Sequence, residues 1–149
     1  MIVSKKSRYA MRAVFELAKQ HGQGPIKISE IAKNQAIPAR FLEVILCQLK
    51  QAGYVESTRG REGGYKLSHD PSELSVGTIL RYFQGLQEPV DCIGDNPKER
   101  CPLRSNCVFV PMWEDMQKAI SGVCDATTFA DLVKREKECL ASATFDYAI

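Results

Sequence analysis

Residues 29–53 read SEIAKNQAIPARFLEVILCQLKQAG and predict two short helices joined by a turn. Ser29 can cap the first helix, over residues 30–33, and Pro38 suits the first turn of the second. Gly53 fits the left-handed position that ends a helix. Two helices joined in this way form a helix-turn-helix, the motif that places a recognition helix in the major groove of DNA.

The second helix of this motif has one apolar side. Its apolar residues recur three and four apart, which predicts that one face is buried. The predicted buried face consists of Phe41, Leu42, Ile45, Leu46 and Leu49. The other faces are left with Arg40, Glu43, Val44, Cys47, Gln48 and Lys50.

A glycine-rich turn follows the motif. Residues 54–59 and 65–67 favour β-strands, and the sequence GREGG at 60–64 separates them, so we expect a β-hairpin wing. Glycines let such a turn lie close to a phosphate backbone, while Arg59 and Arg61 are suited to a narrow minor groove. The turn lacks the Lys-Ser/Thr pair and the strand-to-helix context of a P-loop, which argues against a nucleotide-binding enzyme.

Four further helices are predicted around this unit. They run from Ser7 to about His21, from Leu74-Ser75 to Gly85, from near Val110 past Ile120, and from Thr127 or Thr128 to about Leu140. The third of them is long and has an apolar stripe, which indicates either packing within the subunit or a dimer seam.

The fold class expected from these elements is mainly α with a small β-hairpin wing. It is a winged helix-turn-helix plus a long dimerisation helix. We expect residues 1–84 to form the DNA-binding domain, 85–109 a cysteine-rich loop, 110–140 the dimerisation and C-terminal helices, and 141–149 a tail.

Charge is divided unevenly along the chain. Residues 1–67 hold 12 Lys and Arg against 5 Asp and Glu, whereas residues 68–149 hold 8 against 13. A basic half attracts a polyanion such as DNA, although ordinary solvated charge would give the same count. The N-terminus lacks a signal peptide and no apolar run is long enough for a membrane span, so we expect a cytoplasmic protein with reduced cysteines.

Three of the six cysteines lie close together in sequence. Cys92, Cys101 and Cys107 have the spacing C-x8-C-x5-C. Small structural zinc sites favour pairs two to four residues apart, so the wide intervals better suit an iron–sulfur cluster. Lys98, Arg100 and Arg104 lie among these cysteines, and their charge favours thiolates. His21 and His69 lie elsewhere and are predicted to be surface residues.

Taken together, these motifs resemble the Rrf2 family of winged helix-turn-helix regulators. The resemblance is carried by Lys6, Arg8-Tyr9-Ala10, Gly24-Pro25, Ile31, Phe41-Leu42-Glu43, Arg59-Gly60, Gly63-Gly64-Tyr65, Val76-Gly77 and the three cysteines. It implies a cytoplasmic homodimer that binds palindromic promoter DNA and holds a [2Fe–2S] or [4Fe–4S] cluster near the dimer interface.

The resemblance also implies roles for individual residues. Glu43 matches a position that reads bases in the major groove, and Arg59 matches a wing arginine in the minor groove. Arg40 departs from the small polar residue typical of its position, which changes the expected DNA preference. The DNA-binding residues predicted in this way are Lys6, Arg8, Arg40, Phe41, Glu43, Lys50, Arg59, Arg61, Gly63 and Gly64.

The cysteine loop departs from the family pattern. Its first interval is three residues longer than the usual C-x5-C-x5-C. Relatives take a fourth ligand from a histidine or an aspartate at positions that hold Val110 and Arg8 in this chain. Asp91, Asp95, Glu99 and Cys124 are the alternatives for a fourth ligand.

Three functions fit these observations. The first is a transcriptional regulator whose cluster reports iron–sulfur, redox or nitric oxide status by shifting the dimer between states of different operator affinity. The second is a metal-free repressor in which two loop cysteines form a disulfide under oxidation. The third, an iron–sulfur electron carrier or enzyme, lacks a general-base constellation, so we expect no enzyme activity.

Overall fold

The computed structural model describes residues 3–85, 88–93 and 101–146, and side chains as far as residue 143. The elements are α1 (Lys5–Lys19), α2 (Ile28–Asn34), α3 (Ala39–Gln51), β1 (Val55–Thr58), β2 (Gly64–Leu67), α4 (Val76–Gln84), α5 (Val110–Ala126) and α6 (Phe129–Asp146). A single 3₁₀ turn at Arg104–Asn106 precedes α5 in the described part of the chain. The predicted fold class, mainly α with a two-stranded wing, is confirmed.

Helix α1 is central to the hydrophobic core. Ala10, Ala13, Val14 and Leu17 are at most 1% exposed, because residues three and four apart share one face of a helix. They pack with the apolar residues of α2 and α3 and with Phe129 at the start of α6. The last helix therefore shares the core of the helix-turn-helix instead of standing apart from it.

The helix-turn-helix begins earlier than predicted. Ser29 was expected to cap α2, but the helix starts at Ile28 and its N-cap is Lys27, whose carbonyl accepts from Ile31 N at 3.1 Å. The cause is the wing: Ile26 pairs with Tyr65 through two backbone hydrogen bonds, which fix the chain just before α2.

Helix α3 is bounded as the sequence indicates, within one residue. Pro38 is the N-cap instead of a first-turn residue. Gly53 has φ +79° just after the helix, and its N–H donates to Lys50 O, which confirms the predicted left-handed end.

Strands β1 and β2 form an antiparallel hairpin in which Val55 pairs with Leu67 and Thr58 with Gly64. The Ser75 side chain accepts from Thr78 N at 3.1 Å and caps α4, as expected. Helix α6 continues to Asp146, beyond the predicted end near Leu140. Within the described residues, none of the helices is long and apolar enough to cross a membrane.

Candidate nucleic-acid interface and cysteine loop

The outward face of α3 carries charged and apolar side chains together. Arg40, Glu43 and Lys50 are exposed, as a recognition helix requires. Phe41 is 57% exposed, so its predicted burial is wrong. With about 100° between successive residues, Phe41 lies at the edge of the buried face, beside α1. Its ring packs against the ring of Tyr9, with 6.2 Å between the two ring centroids.

The first turns of α1 add cations next to α3. Lys6 and Arg8 are exposed. The Lys5 ammonium lies 5.8 Å from the centre of the Tyr9 ring, and the Lys6 ammonium lies 5.7 Å from that of Phe83. Ring faces attract cations, so these lysines are held at the surface where a phosphate backbone can reach them.

The wing extends this basic surface. Arg59 and Arg61 are exposed at the tip of the hairpin. Lys50 Nζ donates to Ser57 Oγ at 2.5 Å, which links the end of α3 to β1. The structure thus places the predicted basic residues of α1, α3 and the wing on exposed positions, and their contacts with DNA stay predictions.

The two wing glycines meet backbone of the protein itself. A Cβ on Gly63 would lie 2.2 Å from the carbonyl oxygen of Thr58, and one on Gly64 would lie 2.4 Å from that of Ile26. Both distances are far below van der Waals contact, so no larger residue fits without moving the backbone. Close packing alone therefore requires these glycines, whether or not they also approach a phosphate.

The three loop cysteines are free thiols in different surroundings. Cys101 is exposed, and Cys92 and Cys107 are partly buried. Ile93 is fully buried and anchors the first limb of the loop. Arg104 Nη1 donates to the carbonyl oxygen of Cys92 at 2.5 Å, so this side chain joins the first limb to the turn that leads into α5.

The donor chemistry of the loop fits a soft metal centre, since cysteine thiolates are the usual protein ligands of iron–sulfur clusters and the loop supplies three of the four that a cluster normally takes. The geometry is less complete: among the described residues, no three metal-binding side chains are grouped closely enough to hold one ion. Asp95, Lys98, Glu99 and Arg100, which were assigned roles near the site, lie outside the described residues.

Cys124 lies at the opposite end of α5 from Cys107. It follows Val110 by fourteen residues along α5, a separation of about 21 Å. Burial, and next the carboxylate of Asp125, raise the pKa of its thiol, and a raised pKa disfavours the thiolate that binds metal. Asp91 is exposed beside Cys92. His21 and His69 are exposed, as predicted.

The C-terminal end of α5 is joined to the DNA-binding unit. Asp125 forms two hydrogen bonds with the Arg81 guanidinium of α4, at 2.6 and 3.1 Å. A Cβ on Gly77 would lie 1.9 Å from Asp125 Oδ1, so the carboxylate rests on this glycine. Val76 N donates to Thr127 O at 2.8 Å. These contacts between α5 and α4 were not predicted from the sequence, because the residues that form them lie more than forty positions apart and no local sequence pattern marks them.

These features define a class of protein, a DNA-binding transcriptional regulator with a winged helix-turn-helix. The chain belongs to the Rrf2 family, described as an iron-dependent transcriptional regulator, whose family model matches residues 3–135. The predicted resemblance is confirmed, and the chain is a regulator and not an enzyme.

Three comparisons show the range of its relatives. The chain is 33% identical to the HTH-type transcriptional regulator IscR of Serratia proteamaculans, over 91% of this chain and 81% of that protein. The structure of CymR, the global cysteine regulator of Bacillus subtilis, matches with a TM-score of 0.75 and 32% identity, over 91% of this chain and 98% of that one. The oxidized form of Staphylococcus aureus CymR matches with a TM-score of 0.69 and 31% identity, over 89% and 96%.

Proposed function

We propose that this regulator is a homodimer that binds a palindromic operator in double-stranded DNA, and that an iron–sulfur cluster on Cys92, Cys101 and Cys107 controls its operator affinity. The observation that carries the proposal is the position of these thiols. They lie in the loop that leads directly into α5, and α5 is joined at its other end to the DNA-binding unit through Asp125 and Arg81.

The surface of α5 supports a dimer. None of its residues is buried in the single chain. Met112, Met116 and Val123 are 46%, 42% and 69% exposed, which is unusual for large apolar side chains on one helix. A second copy of α5 would cover them, and a twofold axis there presents two recognition helices to two DNA half-sites.

In this proposal the residues of the chain bind the cluster at the loop and carry its effect to the DNA-binding unit through α5. Three thiols would bind the cluster, which supplies a centre whose oxidation or loss reports redox and iron status. Arg104 fixes the first limb of the loop to the turn before α5. Binding or loss of the cluster alters operator affinity only if the cluster binds more tightly to one arrangement of α5 than to another, because a ligand shifts an equilibrium only by its difference in affinity for the two states.

A thiol switch is the second candidate. The thiol of Cys101 is exposed, the three thiols are not gathered around one point in the described residues, and one similar protein is known in an oxidized form. In this version two thiols lose two protons and two electrons to an oxidant such as a peroxide and form a disulfide. The cytoplasmic location proposed for the protein suits both candidates.

The deciding experiment is an anaerobic purification with visible absorption and assays for iron and acid-labile sulfide. We expect a coloured wild type and a colourless Cys101→Ser variant. Cys139→Ser is the matched control because Cys139 is also exposed but lies on α6, and it should keep its colour. DNA binding of the loaded and cluster-free proteins is then compared on the same operator.

A colourless wild type that resists cluster reconstitution would refute the cluster. If its DNA binding then changed with peroxide and recovered with a thiol reductant, the disulfide version would replace it. Operator binding that is the same in every form, with or without Cys101, would refute both versions of the sensor and leave the DNA-binding function standing.

A further inference from the structure

An apolar patch interrupts the charged outward face of α3. It consists of Phe41, 57% exposed, and Val44, 54% exposed. Both side chains would gain free energy if an apolar group of a partner covered them, at about 25 cal/mol for each Å² removed from water. Contacts with phosphates would need only cations, so the patch calls for a partner with an apolar group of its own.

Val44 lies well within the outward face. With about 100° between successive residues, it lies about 40° round the helix from Arg40 and about 60° from Phe41. Leu42 and Leu46, which are fully buried, mark the opposite side of the helix. Val44 therefore lies about one turn along α3 from Arg40 on the same face, and its short side chain can contact only a base edge that the helix itself approaches closely.

A groove between α1 and α3 continues the patch. It has a volume of about 450 Å³ and is lined by Lys5, Lys6, Tyr9, Phe41, Val44 and Ile45. Almost all of its lining is apolar, and its two charged lining residues are lysines, of which Lys5 holds its ammonium 5.8 Å from the centre of the Tyr9 ring. The occupant that fits is therefore polyanionic and also carries a small apolar group.

DNA meets both requirements. In the major groove, only thymine among the four unmodified bases presents a methyl group, at C5, and apolar side chains contact it there. A second copy of this chain fits less well, because its corresponding half is also strongly basic and would repel the lysines.

We infer that Val44, supported by Phe41, contacts the C5-methyl group of a thymine in each operator half-site, next to the base pair that Arg40 reaches. The inference deepens the proposed function and rests on α3 being the recognition helix. It makes Val44 a residue that determines sequence preference by shape and apolar contact, in addition to the hydrogen bonding of its charged neighbours.

The test replaces thymine by deoxyuridine, which removes the methyl group and leaves base pairing intact. An operator is first selected from random double-stranded DNA with the full-length protein in its tighter-binding form. Each half-site thymine is then replaced in turn and binding is measured by fluorescence anisotropy. One substitution should weaken wild-type binding about four-fold per half-site, from about 0.8 kcal/mol for one buried methyl.

The protein side of the test uses the same chemical change at two valines. In Val44→Ala the ratio of thymine to uracil affinity should fall towards one at that position. Val108→Ala is the control: Val108 is 81% exposed and precedes α5, so the four-fold ratio should persist whatever happens to overall affinity.

The outcomes separate the inference from the proposed function. If the protein selects and binds an operator but every thymine-to-uracil ratio is near one, or is unchanged in Val44→Ala, the thymine contact is wrong and DNA binding stands. If Val44→Ala changes the sedimentation of the protein and not the ratio, the patch is a protein contact. Failure to bind any double-stranded DNA would overturn both.

Discussion

Glu16 offers a sharp test of how the helix-turn-helix is held. Its side chain is 1% exposed in α1. The carboxylate accepts from Asn34 Nδ2 at 2.8 Å and from Gln35 Nε2 at 2.6 Å, and Lys19 Nζ lies 3.4 Å away. One buried carboxylate thus fastens α1 to the end of α2, where the turn towards α3 begins.

Replacing Glu16 by Gln should reduce the free energy of unfolding by about 2–3 kcal/mol near neutral pH. The variant keeps one acceptor oxygen but presents an amide NH₂ group to one of the two amide donors. A hydrogen bond to a charged group contributes about 1.5–3 kcal/mol, against about 1 kcal/mol between neutral groups. Asn34 is exposed and can turn to water, so the larger part of the loss falls on Gln35, which is partly buried.

The pH dependence has a definite sign. Burial raises the pKa of Glu16, but the hydrogen bonds from Gln35 and Asn34 and the charge of Lys19 outweigh it, so the pKa lies below its usual value. Its stabilisation is therefore fully present above the unfolded pKa of about 4.3 and is lost as the pH falls through the folded pKa. The gap between wild type and Glu16→Gln should narrow in acid.

Urea denaturation at a fixed protein concentration, at about pH 7 and about pH 3, measures both effects. Glu73→Gln is the control, because it makes the same chemical change at an exposed carboxylate. The reasoning fails if Glu16→Gln costs no more than this control, or if its cost is the same at both pH values.

Three further changes test the helix ends and the wing. Gly53→Ala should cost about 1 kcal/mol in urea denaturation, because φ +79° strains any residue with a Cβ; no loss would contradict the left-handed end of α3. Thr128→Ala should also cost about 1 kcal/mol, because Thr128 Oγ1 accepts from Asp131 N at 3.1 Å at the start of α6; thermal melting of this variant against wild type measures it. Arg59→Ala should weaken operator binding and reduce the slope of log affinity against log salt by about one. An unchanged slope in the salt titration would remove Arg59 from the DNA contacts.

Local patterns predicted most of the elements, because helices and hairpins depend on neighbours in the sequence. Gly53, Ser75 and the GREGG turn at 60–64 each adopt the structure that their residue types favour. Phe41 shows the limit of this reasoning. Its spacing predicted that it is buried with the rest of the apolar face of α3, but it lies at the edge of that face and is exposed. The prediction that Ser29 caps α2 is wrong for another reason: Ile26 pairs with Tyr65 of the wing, and this pairing decides where α2 begins.

Contacts between distant residues could not be predicted in the same way. Phe129 is fully buried against α1, and Asp125 joins Arg81 forty-four residues earlier. Nothing near either residue in the sequence indicates its partner. The cysteines are an intermediate case: their spacing identifies three ligands of one chemical type, whereas the positions of the sulfur atoms depend on how the loop between them folds.

The hydrogen bonds between the C-terminal end of α5 and α4 have a mechanical consequence. Its 17 residues form a rod about 25 Å long, held where Thr127 and Asp125 meet α4. Such a rod works as a lever: a tilt of about 10° at the hinge corresponds to a movement of about 4 Å at the far end, beside Cys107. In the proposed regulation the same relation would hold in the other direction: a displacement of about 4 Å beside Cys107 would correspond to a tilt of about 10° where α5 meets α4. In the proposed regulation, the DNA-binding half would therefore respond to the direction in which α5 points and would not need to contact the cluster or the thiols themselves.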